Sequence, residues 1–130
     1  MIFFGHKFIP NHSFYHVLNI DAIIHTPPSS TIYLEFDEKN LDIIEHARLN
    51  NISMALKIST LNELLFASAL GASYIMVPKE RAKEFQDIAE NYLFDTKILV
   101  NIEDDNELEE LALQGIDGVF YSNAIIKVTT

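Results

Sequence analysis

The 130 residues contain no cysteine. That absence excludes disulfides, a thiolate nucleophile and every Cys-based zinc site, and nothing calls for an oxidising compartment. Basic residues are scarce, nine against nineteen acidic ones, for a formal net charge of -10. An anionic surface of this kind repels phosphate backbones and acidic lipid headgroups, so neither nucleic acid nor a membrane surface is an expected partner. Long apolar runs are missing too. The opening MIFFGHKFIP is broken by His6 and Lys7, and no small-residue cleavage site follows, so neither a signal peptide nor a membrane span is expected and the cytoplasm is the expected location. Within the first thirty residues charge itself is rare, with only Lys7 and Asp21. This composition shift divides one expected α/β domain, residues 1–130, into an N-terminal arm (1–30) and a core (31–130). A chain of this length buries roughly two-thirds of its unfolded surface and folds without staples.

What is present is a repeat of strand and helix. From Thr31 onward, short β-branched or aromatic runs alternate with stretches of helical period, the pattern of βαβ units and a parallel sheet. Strands are expected at Ile32–Phe36, Met54–Ile58, Tyr74–Val77, Ile98–Ile102 and Val119–Tyr121, with helices near 39–50, 61–70, 79–93 and 105–114. Two helices carry start signals. Thr60 with Glu63, and Asp104 with Glu107, set a capping oxygen at the N-cap and a carboxylate three residues on. Gly71 and Gly115 suit the left-handed residue that ends each helix. The segment NELLFASALGASYIMV from Asn62 matches NELEELALQGIDGVFY from Asn106, an internal repeat of two βα units.

Alternation along the strands separates two architectures. One face collects Ile32, Leu34, Met54, Leu56, Ile58, Ile75, Val77, Ile98, Val100 and Ile102 and is uniformly apolar. The other mixes Tyr33, Glu35, Asp37, Ala55, Lys57, Met76, Asn101, Glu103, Phe120 and Ser122. A sheet apolar on one side predicts helices outside and a partly polar interior, hence about five parallel strands in a half-barrel or incomplete barrel. The alternative is a flavodoxin-like, doubly wound sheet covered on both sides. The arm, with Phe3, Phe4, Phe8, Phe14 and Tyr15, is expected to cover the gap. A strand at Ala22–Thr26 is expected to run antiparallel to Ile32–Phe36 or to lie outside the sheet, because Pro27, Pro28, Ser29 and Ser30 leave no room for a crossover helix. A second copy of the chain meeting its open edges would make a homo-oligomer.

The stretches MALKISTLNELLFASALGASYIMV and KILVNIEDDNELEELALQGIDGVFYSNAI resemble the late βα units of TIM barrels, especially phosphate-binding barrels and the glycerophosphodiester phosphodiesterase family. The resemblance spans about half of the chain. It implies a ligand phosphate beyond the last strand, held by backbone N–H groups at Ser122, Asn123 and Ala124. Against phosphate there, Ser122 and Asn123 stand where such barrels use glycine, and six acids crowd residues 103–110 with no base among them. Glu35 and Asp37 reproduce the family's Glu-x-Asp spacing, and Gly5-His6-Lys7 echoes its His-Arg-Gly without the arginine.

The candidate pocket residues are Glu35, Asp37, Lys57, Asn101, Glu103, Ser122 and Asn123, at the strands' C-terminal edge. Glu35 and Lys57 face each other if their strands are neighbours, as an anion clamp, an amine nucleophile or an interior ion pair. Glu35, Asp37, Glu103 and Asn101 are hard oxygen ligands that could converge on Mg2+, although Asp37 and Asp104 are equally well explained as helix caps. No cofactor or metal is otherwise expected. His12 and His16 have the spacing of one helical face and read as surface or packing residues. Two functions follow, and neither assigns a catalytic residue. One is a non-catalytic module that self-associates or binds protein through its aromatic arm. The other is a protein or enzyme that binds a small molecule, a phosphorylated metabolite among the options, at the strand edge.

Overall fold

The computed structural model describes residues 1–128. Among the described residues there are eight strands: β1 (Ile2–Phe4), β2 (Phe14–His16), β3 (Thr31–Glu35), β4 (Met54–Lys57), β5 (Tyr74–Val77), β6 (Lys97–Asn101), β7 (Gly118–Phe120) and β8 (Ile125–Lys127). They form one sheet in the order β1-β7-β6-β5-β4-β3-β2-β8, and every neighbouring pair is parallel. Four helices connect the middle strands: α1 (Leu41–Leu49), α2 (Leu61–Ala69), α3 (Ala82–Asn91) and α4 (Leu108–Leu113). Short 3-10 turns precede α1, α3 and α4, which is why those helices begin a few residues later than their sequence pattern suggests. Both capping boxes form, with Thr60 Oγ1 accepting from the Glu63 N–H at 3.2 Å and Asp104 Oδ1 from the Asn106 N–H at 2.9 Å. Gly71 and Gly115 sit at φ +81° and +75° as the helix-ending residues.

Two separate cores show which side the helices cover. Ile32, Leu34, Met54, Leu56, Ile75, Ile98, Val100 and Val119 pack with helix residues such as Ile43, Leu64, Phe85 and Leu111. The opposite strand face holds Phe4, Phe14, Tyr33, Ala55, Met76, Leu99 and Phe120, joined by Ala124 of a short 3-10 turn and by no buried residue of α1 to α4. The helices therefore lie on one face, and the doubly wound alternative is not realised.

The sheet must also curl. Phe4 on β1 and Phe14 on β2 are six places apart in strand order. At about 4.8 Å per strand a flat sheet would separate them by about 29 Å. Their rings lie 4.7 Å apart, and Phe4 also meets Tyr74 of β5 at 5.3 Å. The inner face has closed on itself as a curled half-barrel, filled at its N-terminal end by aromatic rings. The two sheet edges meet at a clasp, where Asn123 Nδ2 donates to the Gly5 carbonyl at 3.1 Å. Gly5 has φ +85°, and a Cβ there would lie 2.7 Å from Asn123 Oδ1, so both the backbone and the close approach call for glycine.

The arm departs from expectation. It supplies two parallel ladder strands, β1 and β2, which with the unexpected β8 raise the count from about five to eight, and Phe4 and Phe14 are fully buried inside the curl. Ala22–Thr26 is not a strand. Residues Asp21–His25 wind into a 3-10 turn that carries the chain from β2 to its parallel neighbour β3. Asn19 Oδ1 accepts from the Ala22 N–H at 2.8 Å, and the Thr26 hydroxyl donates to the Ile23 carbonyl at 2.7 Å. Buried Ala22 packs beneath the turn on the helix-covered face, so the crossover is made before the two prolines. Among the described residues, no helix is long and apolar enough to cross a membrane.

Candidate functional site

Above the aromatic plug, the C-terminal ends of the strands surround a cavity of about 490 Å³. Its floor is Tyr33, Met76 and Phe120, the upper members of the inner core. Its rim carries Lys57 ending β4 and Ser59 just beyond it, Lys79 after β5, Asn101 ending β6, and Ser122 after β7. Ile58, Val77, Pro78 and Ile125 supply apolar wall. Period-two alternation explains the set: Tyr33, Lys57, Met76, Asn101, Phe120 and Ser122 all belong to the mixed face.

Electrostatically the rim is unlike the rest of the molecule. Among the described residues, no Asp or Glu lines the cavity. Lys79 is neutralised by Glu107, Nζ to Oε1 at 2.6 Å. That ion pair, with the backbone N–H groups of Glu103 and Asp104, holds the Glu107 carboxyl down to about 2. Lys57 makes no ion pair among the described residues. Burial, and secondarily the Glu35 charge, push the Tyr33 hydroxyl above the usual tyrosine value, so it remains a neutral donor. The Asn101 side chain donates to the Phe120 carbonyl at 3.2 Å, which fixes its amide plane at the rim.

Of the expected pocket residues, Lys57, Asn101 and Ser122 line this cavity. Glu35 is the register partner of Lys57 across β3 and β4, yet the two make no ion pair and Glu35 stays outside the lining. Asp37 caps the turn before α1, accepting from the Lys39 N–H at 3.0 Å. Glu103 is not part of the lining, although its carboxylate accepts from the Ser122 hydroxyl at the rim. Asn123 is spent on the edge clasp. Glu35, Asp37 and Glu103 do not converge, and among the described residues no group of three or more His, Asp or Glu side chains gathers around a point that could hold a metal ion. The backbone cradle implied at Ser122, Asn123 and Ala124 is also compromised, because the Ala124 N–H is bonded to the Tyr121 carbonyl at 2.9 Å and the Glu103 carboxylate sits on Ser122.

A second, shallower cavity of about 390 Å³ lies beside the first, lined by Gly5, His6, Lys7, Glu103, Asp104, Asp105 and Tyr121. Here Asp105 accepts from the Tyr121 hydroxyl at 2.5 Å and meets His6 Nε2 at 3.3 Å. The Phe8 N–H donates to His6 Nδ1 at 3.1 Å, which leaves Nε2 as the protonated nitrogen facing Asp105. The Tyr121 and His6 hydrogen bonds hold Asp105 below the usual carboxylate range, while burial and then Asp105 push Tyr121 up to about 12. The arrangement ties the segment after β1 to those that follow β6 and β7. Nothing in the spacing of residues 6, 105 and 121 announces it, because it depends on β1 pairing with β7.

His12 and His16 do not share a helical face. Residue 12 precedes β2 and residue 16 ends it, so His12 packs on the Phe4 and Phe14 rings at 5.2 and 5.6 Å while His16 meets Tyr33 at 5.0 Å. Burial, and then the Lys127 charge, lower the His16 pKa against a smaller opposing effect of Glu35. Tyr33, Met76, Phe120 and Lys79 are pocket residues that the sequence reading did not single out as such. The first three were visible as members of the mixed face; Lys79 follows β5 on a turn and had no such signal. In comparisons with known proteins, the sequence matches no family model and no curated protein.

Proposed function

We propose that the chain is a small-molecule-binding protein whose site is the cavity at the C-terminal mouth of the curled sheet. The observation that carries this reading is a concave space of about 490 Å³ with an apolar floor and a few polar groups at its rim. Ligand sites are characteristically clefts of roughly 300–1,000 Å³ with that mixture, and the strand C-terminal edge is where loops of this architecture carry function. The supporting point is economy: among the described residues, the Lys57 and Ser59 side chains make no hydrogen bond that the fold uses, although they stand at the mouth of an otherwise filled interior. The test is a fragment screen read by backbone amide shifts of the labelled protein. Fragments that bind should move the amides of residues 57–59, 76–79, 101 and 122 together, and a screen that moves none of them would end the proposal.

Self-association through the arm is the second reading. Most of its aromatic motive is gone, since Phe4 and Phe14 are core residues. What favours it is Phe8, 78% exposed, next to Ile9 at 40%. Deleting residues 1–18 would now remove two strands, so the clean test is Phe8→Ser, which should lower the mass measured by sedimentation. A monomeric parent protein would refute this reading.

A further inference from the structure

We infer that the mouth cavity selects ligands bearing one oxyanion head, a carboxylate or a phosphate, on an apolar body, and that Lys57 is the residue that reads the charge. The inference rests on the small-molecule reading above and names its ligand class. The protein carries nineteen acidic residues against nine basic ones, yet the charged residues lining this cavity are both lysines. One of them is already satisfied, since Lys79 is held by Glu107 at 2.6 Å. Lys57 is not. Its register partner Glu35 lies outside the lining and makes no ion pair with it.

The remaining donors agree with an oxyanion. Tyr33 stays protonated on the cavity floor, and the Ser59 hydroxyl lies on the rim next to the Lys57 strand end. A charge-assisted bond from an ammonium to a carboxylate or phosphate is about twice as strong as a neutral one. Beside it, Ile58, Met76, Val77 and Phe120 form the apolar wall of the cavity. Those side chains also set the body of the ligand, because they offer no polar atom for it to bond. The head belongs on the β4 side of the mouth. On the β7 side, Glu103 stands on Ser122 and the Ala124 N–H is taken, so an anion there would meet a carboxylate instead of a donor.

The experiment compares benzoate, phenyl phosphate and the neutral isostere benzamide, titrated into the labelled full chain, with Lys57→Met and Lys57→Arg as variants and thermal melting as the check that each remains folded. Benzoate or phenyl phosphate should move the amides of residues 57–59 and 76–79, with benzamide at least about tenfold weaker. Lys57→Met, which keeps the aliphatic stem, should weaken the anions by about tenfold or more, and Lys57→Arg should restore most of that affinity. Preference for one of the two anions identifies the head group. Benzamide binding as well as benzoate, or anion affinity unchanged in Lys57→Met, overturns the charge assignment while leaving the pocket standing. Perturbation of none of those amides by any of the three, when other fragments do move them, likewise overturns the ligand class; silence to every fragment removes the pocket as well.

Discussion

Replacing Phe14 by alanine tests the claim that the N-terminal arm is barrel interior and not a covering flap. The ring is fully buried and touches Phe4 at 4.7 Å, Tyr74 at 5.4 Å, His12 at 5.6 Å and Phe120 at 6.4 Å. Removing a buried phenyl loses its transfer free energy and leaves a cavity that neighbours fill only in part, about 3–5 kcal/mol in all. Aromatic pair terms of about 0.5–1.5 kcal/mol each lie inside that figure and place Phe14 towards its upper end. Against a domain stability of about 5–15 kcal/mol, the variant should retain only a narrow margin. Urea denaturation followed by circular dichroism is the assay, with the midpoint moving and the slope unchanged. Phe14→Leu, which keeps much of the apolar volume, guards against a variant too unstable to measure and should cost about 1–2 kcal/mol. A loss below about 1 kcal/mol for Phe14→Ala would refute the packing of β2 into the curl, since such a value belongs to a surface aromatic.

Two further outcomes follow from the same contacts. Because the folded state holds the Glu107 carboxyl at about 2 against an ordinary 4.5, the pair with Lys79 stabilises the fold above pH 4.5 and loses that effect as pH falls towards 2. Carboxyl titration by NMR should give the depressed value, and the stability gap between the parent and Glu107→Gln should close over that window; a Glu107 midpoint near 4.5 would contradict the ion pair. Buried Gln86 on α3 accepts the Asp117 N–H at 3.0 Å, while Asp117 itself accepts the Ile98 N–H at 2.9 Å, so this network sets the entry into β7 against β6. Gln86→Leu should cost about 1–3 kcal/mol for the orphaned donor and raise hydrogen exchange at residue 117; unchanged exchange there would show the bond to be dispensable.

The parts of the molecule that were legible in the sequence are those encoded within a few residues. Thr60 with Glu63 and Asp104 with Glu107 announced two helix starts because a cap and its reciprocal carboxylate are three residues apart, and both boxes form. Alternation along β3 to β7 separated an apolar helix-bearing face from a mixed one, because the strand period is two wherever the strand sits. From that face alone Lys57, Asn101 and Ser122 could be assigned to a common mouth.

Other features were settled only by chain segments meeting in space. β1 and β2 are three residues each, too short to show a period, and they become strands because β7 and β3 offer them ladders. Curling brings Phe4 onto Phe14 and Asn123 onto Gly5, and the pairing of β1 with β7 brings His6 onto Asp105 across 99 positions of sequence. Which carboxylates enter the cavity was not legible either: Glu35 and Glu103 lie near the mouth in sequence terms, but neither joins the lining. Local rules can say that a side chain lies on the inner face; how far the sheet bends, and therefore which inner residues share one hollow, is a sum over all eight strands and belongs to no single segment.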